Sequence, residues 1–308
     1  MSKNGEHFIR EIEIKNYKLF KDFKAEGFGR VNLIGGKNNV GKTAFMEACY
    51  LGENTPEEDY FYEDFEIKKL KNAYMIIEFH RDSINLLLEH KKLIYKFLES
   101  KIIINKTIKA LNEKFTLEEL DIKKLIENIN FISMIDIINE QLINAIDEIK
   151  LQNKEEKFNN ILKELFDIDK VDTIKEQVMI KKEENYLPIG EYGDGMKHFL
   201  IILLALYLNE NSILYLDEIE NGIHYTNFYK LWEIILKISK EQNVQVFATT
   251  HSKECIESFN KVQKELEDGD TFYFEMYKNI KNDNISMRQL DVKQLDYELK
   301  LGEGFRGE

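Results

Sequence analysis

The chain has 308 residues, 43% of them hydrophobic, which is enough for a full core and fits one large domain or one domain with an insertion. Asp and Glu (56) outnumber Lys and Arg (43), a net charge of −13 that speaks against a general nucleic-acid binder, although a local basic strip could still track a phosphate backbone. Only Cys49 and Cys255 occur, far apart and without C-x-x-C spacing, which argues against a disulfide framework or zinc site and for a reducing, cytoplasmic setting.

Residues 1–7 lack the apolar core of a signal peptide. The longest apolar run, Phe199 to Leu208, is about half of what a bilayer span needs. It reads as a buried helix, and no membrane partner is expected.

Residues 8–34 read as two β segments, with Ile9, Ile12 and Ile14, then Phe20 and Phe23, and finally Val31, Leu33 and Ile34. They lead into Gly36-Lys37-Asn38-Asn39-Val40-Gly41-Lys42-Thr43, which has the spacing G-x-x-x-x-G-K-[ST]. The helix-favouring run from Ala44 to Ala48 follows. A loop of this kind turns backbone N–H groups inward at the start of a helix and binds phosphates with those donors and the helix dipole. Lys42 would neutralise the β- and γ-phosphates, and the Thr43 hydroxyl would hold Mg²⁺. A glycine-rich turn that merely starts a helix would not need strand, loop and helix in this register.

An acidic loop around Pro56 and a strand at Ala73 to Phe79 come next. From Ser83 to Asp167 neither glycine nor proline occurs, and apolar residues recur at helical spacing in Leu86, Leu87, Leu93, Ile94 and Phe97, and again in Ile132, Ile135, Ile138, Leu142 and Ile146. Thr116 and Glu119 form a capping-box pattern. This predicts three to five helices inserted into an α/β domain. A helix of 22 residues would reach only about 33 Å, too short for a long coiled-coil arm.

Past Asp172, Ile174, Val178 and Ile180 restore β character. Gly190, Gly193 and Gly195 then run straight into the apolar helix from Phe199, making a second helix N-terminus with exposed donors. Ser212 to Glu218 is an apolar strand ending in two carboxylates. Asp217 would meet a Mg²⁺ shell beside the phosphate loop, and Glu218 would stand where an attacking water needs a base. After an amphipathic helix over 226–240, the strand from Val244 ends in His251, placed to read a γ-phosphate. The tail supplies strands at Thr271–Tyr277 and Ile285–Leu290, then a short helix.

Five stretches in this order resemble the ABC-type ATPases of the RecF, SMC and OLD group, often described simply as AAA family ATPases, and look closest to the OLD-like ATPase heads of bacterial anti-phage systems. They are Ile14 to Phe20, Gly36 to Thr43, Gly193 to Lys197, Asp217 to His224, and Thr249 to Ser252. The resemblance implies an α/β fold: a P-loop ABC-type head with a mixed sheet, built from 1–80 and 185–308, around a helical insertion at 81–184. ATP and Mg²⁺ are the implied cofactors, with Gly36, Lys37, Asn38, Asn39, Val40, Gly41, Lys42, Thr43 and Ala44 binding nucleotide, Thr43 and Asp217 binding metal, Glu218 as catalytic base and His251 as γ-phosphate sensor. It further implies two heads stacked head to tail, as a homodimer or an assembly of such dimers. Each ATP is then held by the phosphate loop of one head and by Gly193, Asp194 and Gly195 of the other, while the loop from Asn221 to His224 crosses the interface.

Gly193 stands where a serine is usual, which would remove one contact to the γ-phosphate. The end of the 73–79 strand, near His80, is the only candidate for a glutamine loop. The function expected is an ATP-hydrolysing switch of a defence system that controls a separate effector, a nuclease or toxin. A RecF-like DNA-repair clamp or a nucleotide-gated scaffold is the alternative. Asp268-Gly269-Asp270 superficially resembles the acidic pair of a Toprim nuclease, but reads as a turn.

Overall fold

The computed structural model describes residues 8–53, 60–62, 65–67, 131–133, 139–279 and 283–301. Among these residues the centre is a six-stranded sheet. Its middle strands are β3 (Val31–Gly35), β10 (Ile213–Asp217) and β11 (Gln245–Thr249). All three are buried along their whole length, as parallel strands covered on both faces must be. Three more strands complete it: β6 (Phe131–Ser133), β12 (Thr271–Lys278) and β13 (Ile285–Leu290). The order is β13-β12-β3-β11-β10-β6, with every neighbouring pair parallel except β12 and β13, so the sheet is mixed.

Alternation along these strands feeds two separate cores, because successive side chains of a strand point to opposite faces. Ile34, Ile213, Tyr215 and Phe247 face one way. They meet α1 (Lys42–Glu53) and the antiparallel hairpin of β1 (Glu11–Tyr17) and β2 (Phe20–Glu26). This side is aromatic: Phe247 stacks on Tyr215 at 5.7 Å, meets Phe28 edge-on at 5.2 Å, and lies 6.2 Å from Phe45. Val31, Leu33, Leu214, Leu216, Val246 and Ala248 face the other way.

On that second face lie α4 (Asp194–Leu208), α5 (Phe228–Glu241), α6 (Lys253–Glu265) and α7 (Val292–Leu301). Helix α4 is the apolar run of the sequence, and it is buried from His198 to Tyr207. Trp232 of α5 packs edge-on against Phe259 of α6 at 4.9 Å and donates its indole N–H to the Cys255 carbonyl at 3.1 Å. Asp268 ion-pairs with the buried Arg30, which also donates to the Leu236 carbonyl at 3.0 Å. Asp268 to Asp270 is thus a turn that anchors the start of β3.

The range expected as a helical insertion is not helical throughout. Among the described residues of this range two helices are present, α2 (Asn139–Leu151) and α3 (Glu155–Phe166), but the periodicity read from Ile132 onward begins with a strand: β6 pairs in parallel with β10, Leu216 facing Ile132 and Asp217 facing Ser133. A short apolar run is compatible with either state, and the open edge of β10 supplies the backbone partner that decides it. Helix α2 buries Leu142, Ala145, Ile146 and Ile149 in the same core as α4. Beyond α3, β7 (Lys170–Ile174), β8 (Gln177–Lys182) and β9 (Asn185–Pro188) form an antiparallel sheet of their own. It carries the β character expected past Asp172 and straddles the boundary expected at 185. Two strands, β4 (Tyr60–Tyr62) and β5 (Phe65–Ile67), form a separate antiparallel pair. The strand expected at 73–79, the capping box at Thr116 and the glutamine-loop candidate His80 lie outside the described residues.

Phe247 contacts rings from β10, α1 and the chain before β3, so Phe247→Ala leaves a cavity that several elements border. The expected cost is about 3–5 kcal/mol of unfolding free energy, read as a lower denaturant midpoint.

Candidate functional site

Strands β3, β11 and β10 are adjacent and parallel, so their carboxyl ends open on one edge of the sheet. In open α/β sheets that edge is where ligands bind. The phosphate loop leaves β3, His251 follows β11, and Asp217 and Glu218 close β10. Register alone therefore gathers residues more than 200 positions apart.

The loop has the backbone its glycines require. Gly36 has φ +136°, and a Cβ there would lie 2.2 Å from the Met276 carbonyl oxygen of β12, so no side chain fits. Asn39 takes a left-handed conformation, φ 59°, which asparagine tolerates. Val40 and Ala44 are buried and fasten the loop to the aromatic core, while Lys37, Asn38 and Asn39 are exposed. Helix α1 starts at Lys42, which leaves the first backbone donors of the helix facing the loop.

Lys42 is buried, and its ammonium donates to the carbonyls of Gly36 at 2.8 Å and Lys37 at 2.9 Å and lies 3.2 Å from His251 Nδ1. Burial lowers its pKa to about 8, against the attraction of Glu220, Asp217 and Glu218. His251 is also pushed down, first by burial and then by the neighbouring Lys42 charge, so its ring is neutral at pH 7. Its Nε2 lies 3.7 Å from Glu218 Oε1. A proton on Nε2 leaves Nδ1 free to accept from Lys42, the tautomer that suits both neighbours.

Thr43 donates its hydroxyl to Asp217 Oδ2 at 2.9 Å, and Thr249 donates to Asp217 Oδ1 at 2.6 Å. Burial raises the Asp217 carboxyl, and these two hydrogen bonds oppose it by favouring the ionised form. The same Thr249 hydroxyl accepts the Glu218 backbone N–H at 2.8 Å. Glu218 is left-handed, φ 54°, and its Oε2 accepts from Asn221 Nδ2 at 2.7 Å. Glu220 Oε1 accepts the His251 backbone N–H at 2.6 Å.

Lys42, Thr43, Asp217, Glu218 and His251 are thus brought together as expected. The Gly193–Gly195 turn takes no part in these hydrogen bonds among the described residues; Gly193 is exposed, with φ +85° and open space around it. Thr249 and Glu220 are site members whose roles no motif spacing indicates. Their signal is positional: Thr249 ends the strand beside the one that Asp217 ends.

With this geometry established, comparison places the chain. A family model described as "AAA domain, putative AbiEii toxin, Type IV TA system" matches residues 31–257. The chain belongs to this AAA domain family. It is 27% identical over 330 aligned positions, 83% of this chain and 89% of the relative, to an ATP/GTP phosphatase of Helicobacter pylori. Over 44 residues, 14% of this chain and 12% of the relative, it is 46% identical to the DNA replication and repair protein RecF of Bacillus cytotoxicus. Among solved structures it resembles the SMC head domain from Thermotoga maritima at 14% identity and a TM-score of 0.49, over 92% of this chain and 98% of that one. No helix among the described residues is long and apolar enough to cross a membrane. The AAA family and the phosphate-loop site together support ATP binding and hydrolysis.

Two opposite pH effects follow from Lys42. Its pKa lies below the ordinary lysine value of 10.5, so between pH 8 and 10.5 the unfolded chain holds the extra proton and the Lys42 contribution to stability rises with pH. Over the same range the ammonium that would meet phosphate is lost, so affinity for ATP falls. Titration calorimetry and denaturant melts at pH 7 and 9 should move in opposite directions, and Lys42→Met should abolish ATP binding and leave the fold intact.

Proposed function

We propose that this AAA family chain binds Mg-ATP at the Gly36–Thr43 loop, hydrolyses it slowly, and works as a two-headed switch. The observation that carries this reading is the convergence of Lys42, Thr43, Asp217, Glu218 and His251 on one sheet edge. Lys42, with its ammonium beside two loop carbonyls, exchanges them for phosphate oxygens. The Thr43 hydroxyl and the Asp217 carboxylate are adjacent hard oxygen donors, the kind Mg²⁺ takes from a protein while keeping its waters and substrate phosphates, and they would hold the ion. When bound, Mg²⁺ neutralises phosphate charge.

Glu218 takes a proton from the attacking water as the water oxygen bonds to the γ-phosphorus and the bond to ADP breaks. His251 then stands within reach of the transferred phosphoryl group and keeps Glu218 oriented. The Helicobacter relative named as an ATP/GTP phosphatase supports this chemistry.

For the biological role we propose an OLD-like head of a bacterial defence system, acting in the cytoplasm on a separate nuclease or toxin. The family description, which includes a putative toxin of a Type IV TA system, supports that setting. Two copies would stack head to tail, each nucleotide lying between the loop of one and the Gly193–Gly195 turn of the other. Gly193 offers no hydroxyl there, which weakens the sandwich and slows turnover. The short identity to RecF favours a second reading, a DNA-repair clamp; DNA-stimulated ATP turnover would select it.

Glu218→Gln keeps the shape and removes the base, so hydrolysis should fall by about 10²–10⁴-fold while ATP remains bound. With ATP the variant should double in mass by light scattering. Unaltered hydrolysis would remove Glu218 from the role, and a mass unchanged by ATP at several concentrations would remove the sandwich.

A further inference from the structure

The loop after β10 is braced from behind by the first turns of α4. Gly195 and His198 lie three residues apart on one face of that helix. Gly222 sits against them: a Cβ built on it would fall 2.0 Å from His198 Cε1, 2.4 Å from Nε2 and 2.5 Å from Nδ1. A Cβ on Gly195 would lie 3.4 Å from the Gly222 carbonyl oxygen. The buried imidazole therefore fills the space that any side chain at position 222 would need, and Gly222, φ +71°, has a left-handed backbone that glycine adopts at no steric cost.

The loop so braced is tight. The Asn221 N–H donates to the Glu218 carbonyl at 2.9 Å and the Ile223 N–H to the Glu220 carbonyl at 3.2 Å. Asn221, the residue before Gly222, holds the Glu218 carboxylate through its side-chain amide at 2.7 Å. Any shift of Gly222 away from α4 therefore moves the amide that orients Glu218.

We propose that His198 and Asn221 are a positioning pair for Glu218, the ring of His198 propping Gly222 so that the Asn221 amide stays on the carboxylate. The proposal rests on the reading of Glu218 as the base. It gives the helix that begins at the Gly193–Gly195 turn a second use, within its own chain, as the backstop of the catalytic loop.

The experiment measures steady-state ATP turnover of the full chain, His198→Ala, His198→Phe, Asn221→Ala and the double alanine variant, with Glu218→Gln as reference. Hydrogen exchange at the Asn221 and Ile223 amides is followed in the same samples. Expected for His198→Ala is a kcat lower by about tenfold with KM for ATP within about twofold, because the change leaves the phosphate loop and the backbone of the Gly193–Gly195 turn in place. His198→Phe restores the ring volume and most of kcat. Asn221→Ala loses a similar amount, and the double variant loses no more than the worse single change, since both act on one contact.

In His198→Ala the two loop amides should exchange about tenfold faster, while the Ile219 amide, bonded to the Thr249 carbonyl, keeps its protection. Unchanged exchange at 221 and 223 overturns the proposal whatever the turnover, as do an unchanged kcat, losses that multiply in the double variant, or no recovery with phenylalanine. Full activity of Glu218→Gln would instead overturn the assignment of the base, and the exchange rates would still report whether His198 holds the loop. His198→Asn takes the place of the alanine variant if that variant does not fold.

Discussion

The hydroxyl of Thr249 is the joint on which the reactive edge depends. It donates to Asp217 and accepts from the Glu218 backbone, so a single oxygen ties the end of β11 to the end of β10 and sets both carboxylates. Because Asp217 in turn accepts from Thr43, the first turn of α1 is locked to the same point. Buried carboxylates need such partners: an ionised group without them would be driven to take up a proton. The hydrogen bonds from Thr249 and Thr43 therefore favour the ionised form of Asp217 against the burial that raises its pKa.

The phosphate loop and the acid pair were legible in the sequence because their chemistry is local. Gly36, Gly41, Lys42 and Thr43 carry their spacing within eight residues, and Ile213 to Asp217 is visibly a buried strand with an acidic end. The AAA family and the mixed α/β fold follow from the same stretches. Thr249 and Glu220 were not legible as site members, since their roles arise from which strand lies beside which, and strand order is a property of the whole sheet. Strand β6 is hidden in the sequence for a different reason. With three residues it has too little pattern to oppose the helical spacing of Ile135, Ile138 and Leu142, and only the backbone groups offered by β10 reveal it.

The small antiparallel sheet between α3 and α4 is held by its backbone ladder and is tied to the neighbouring helices by ion pairs. Lys150 reaches Asp172 at 2.7 Å, Lys170 reaches Glu155 at 2.9 Å, and Lys182 reaches Asp167 at 2.8 Å. Pairs this exposed contribute about 0–1 kcal/mol each and weaken with salt. The apolar anchor of this region is instead Val171, Val178 and Ile180, which join the main core.

The pairing of Ser133 with Asp217 gives the sheet an uneven mechanical build. On one side β10 is bonded along four residue pairs to β11, an interior strand. On the other it is bonded along three to β6, the last strand on that side among the described residues. Opening free energies in proteins are graded, lowest where a segment has few bonds and few buried neighbours. Among the described strands, β6, with three paired residues, is thus the rung that a pull along the chain would strip first. Stripping it would leave the joint at Thr249 intact while exposing the backbone of β10 beside the two carboxylates: the sheet has a tear line, and it runs next to the chemistry.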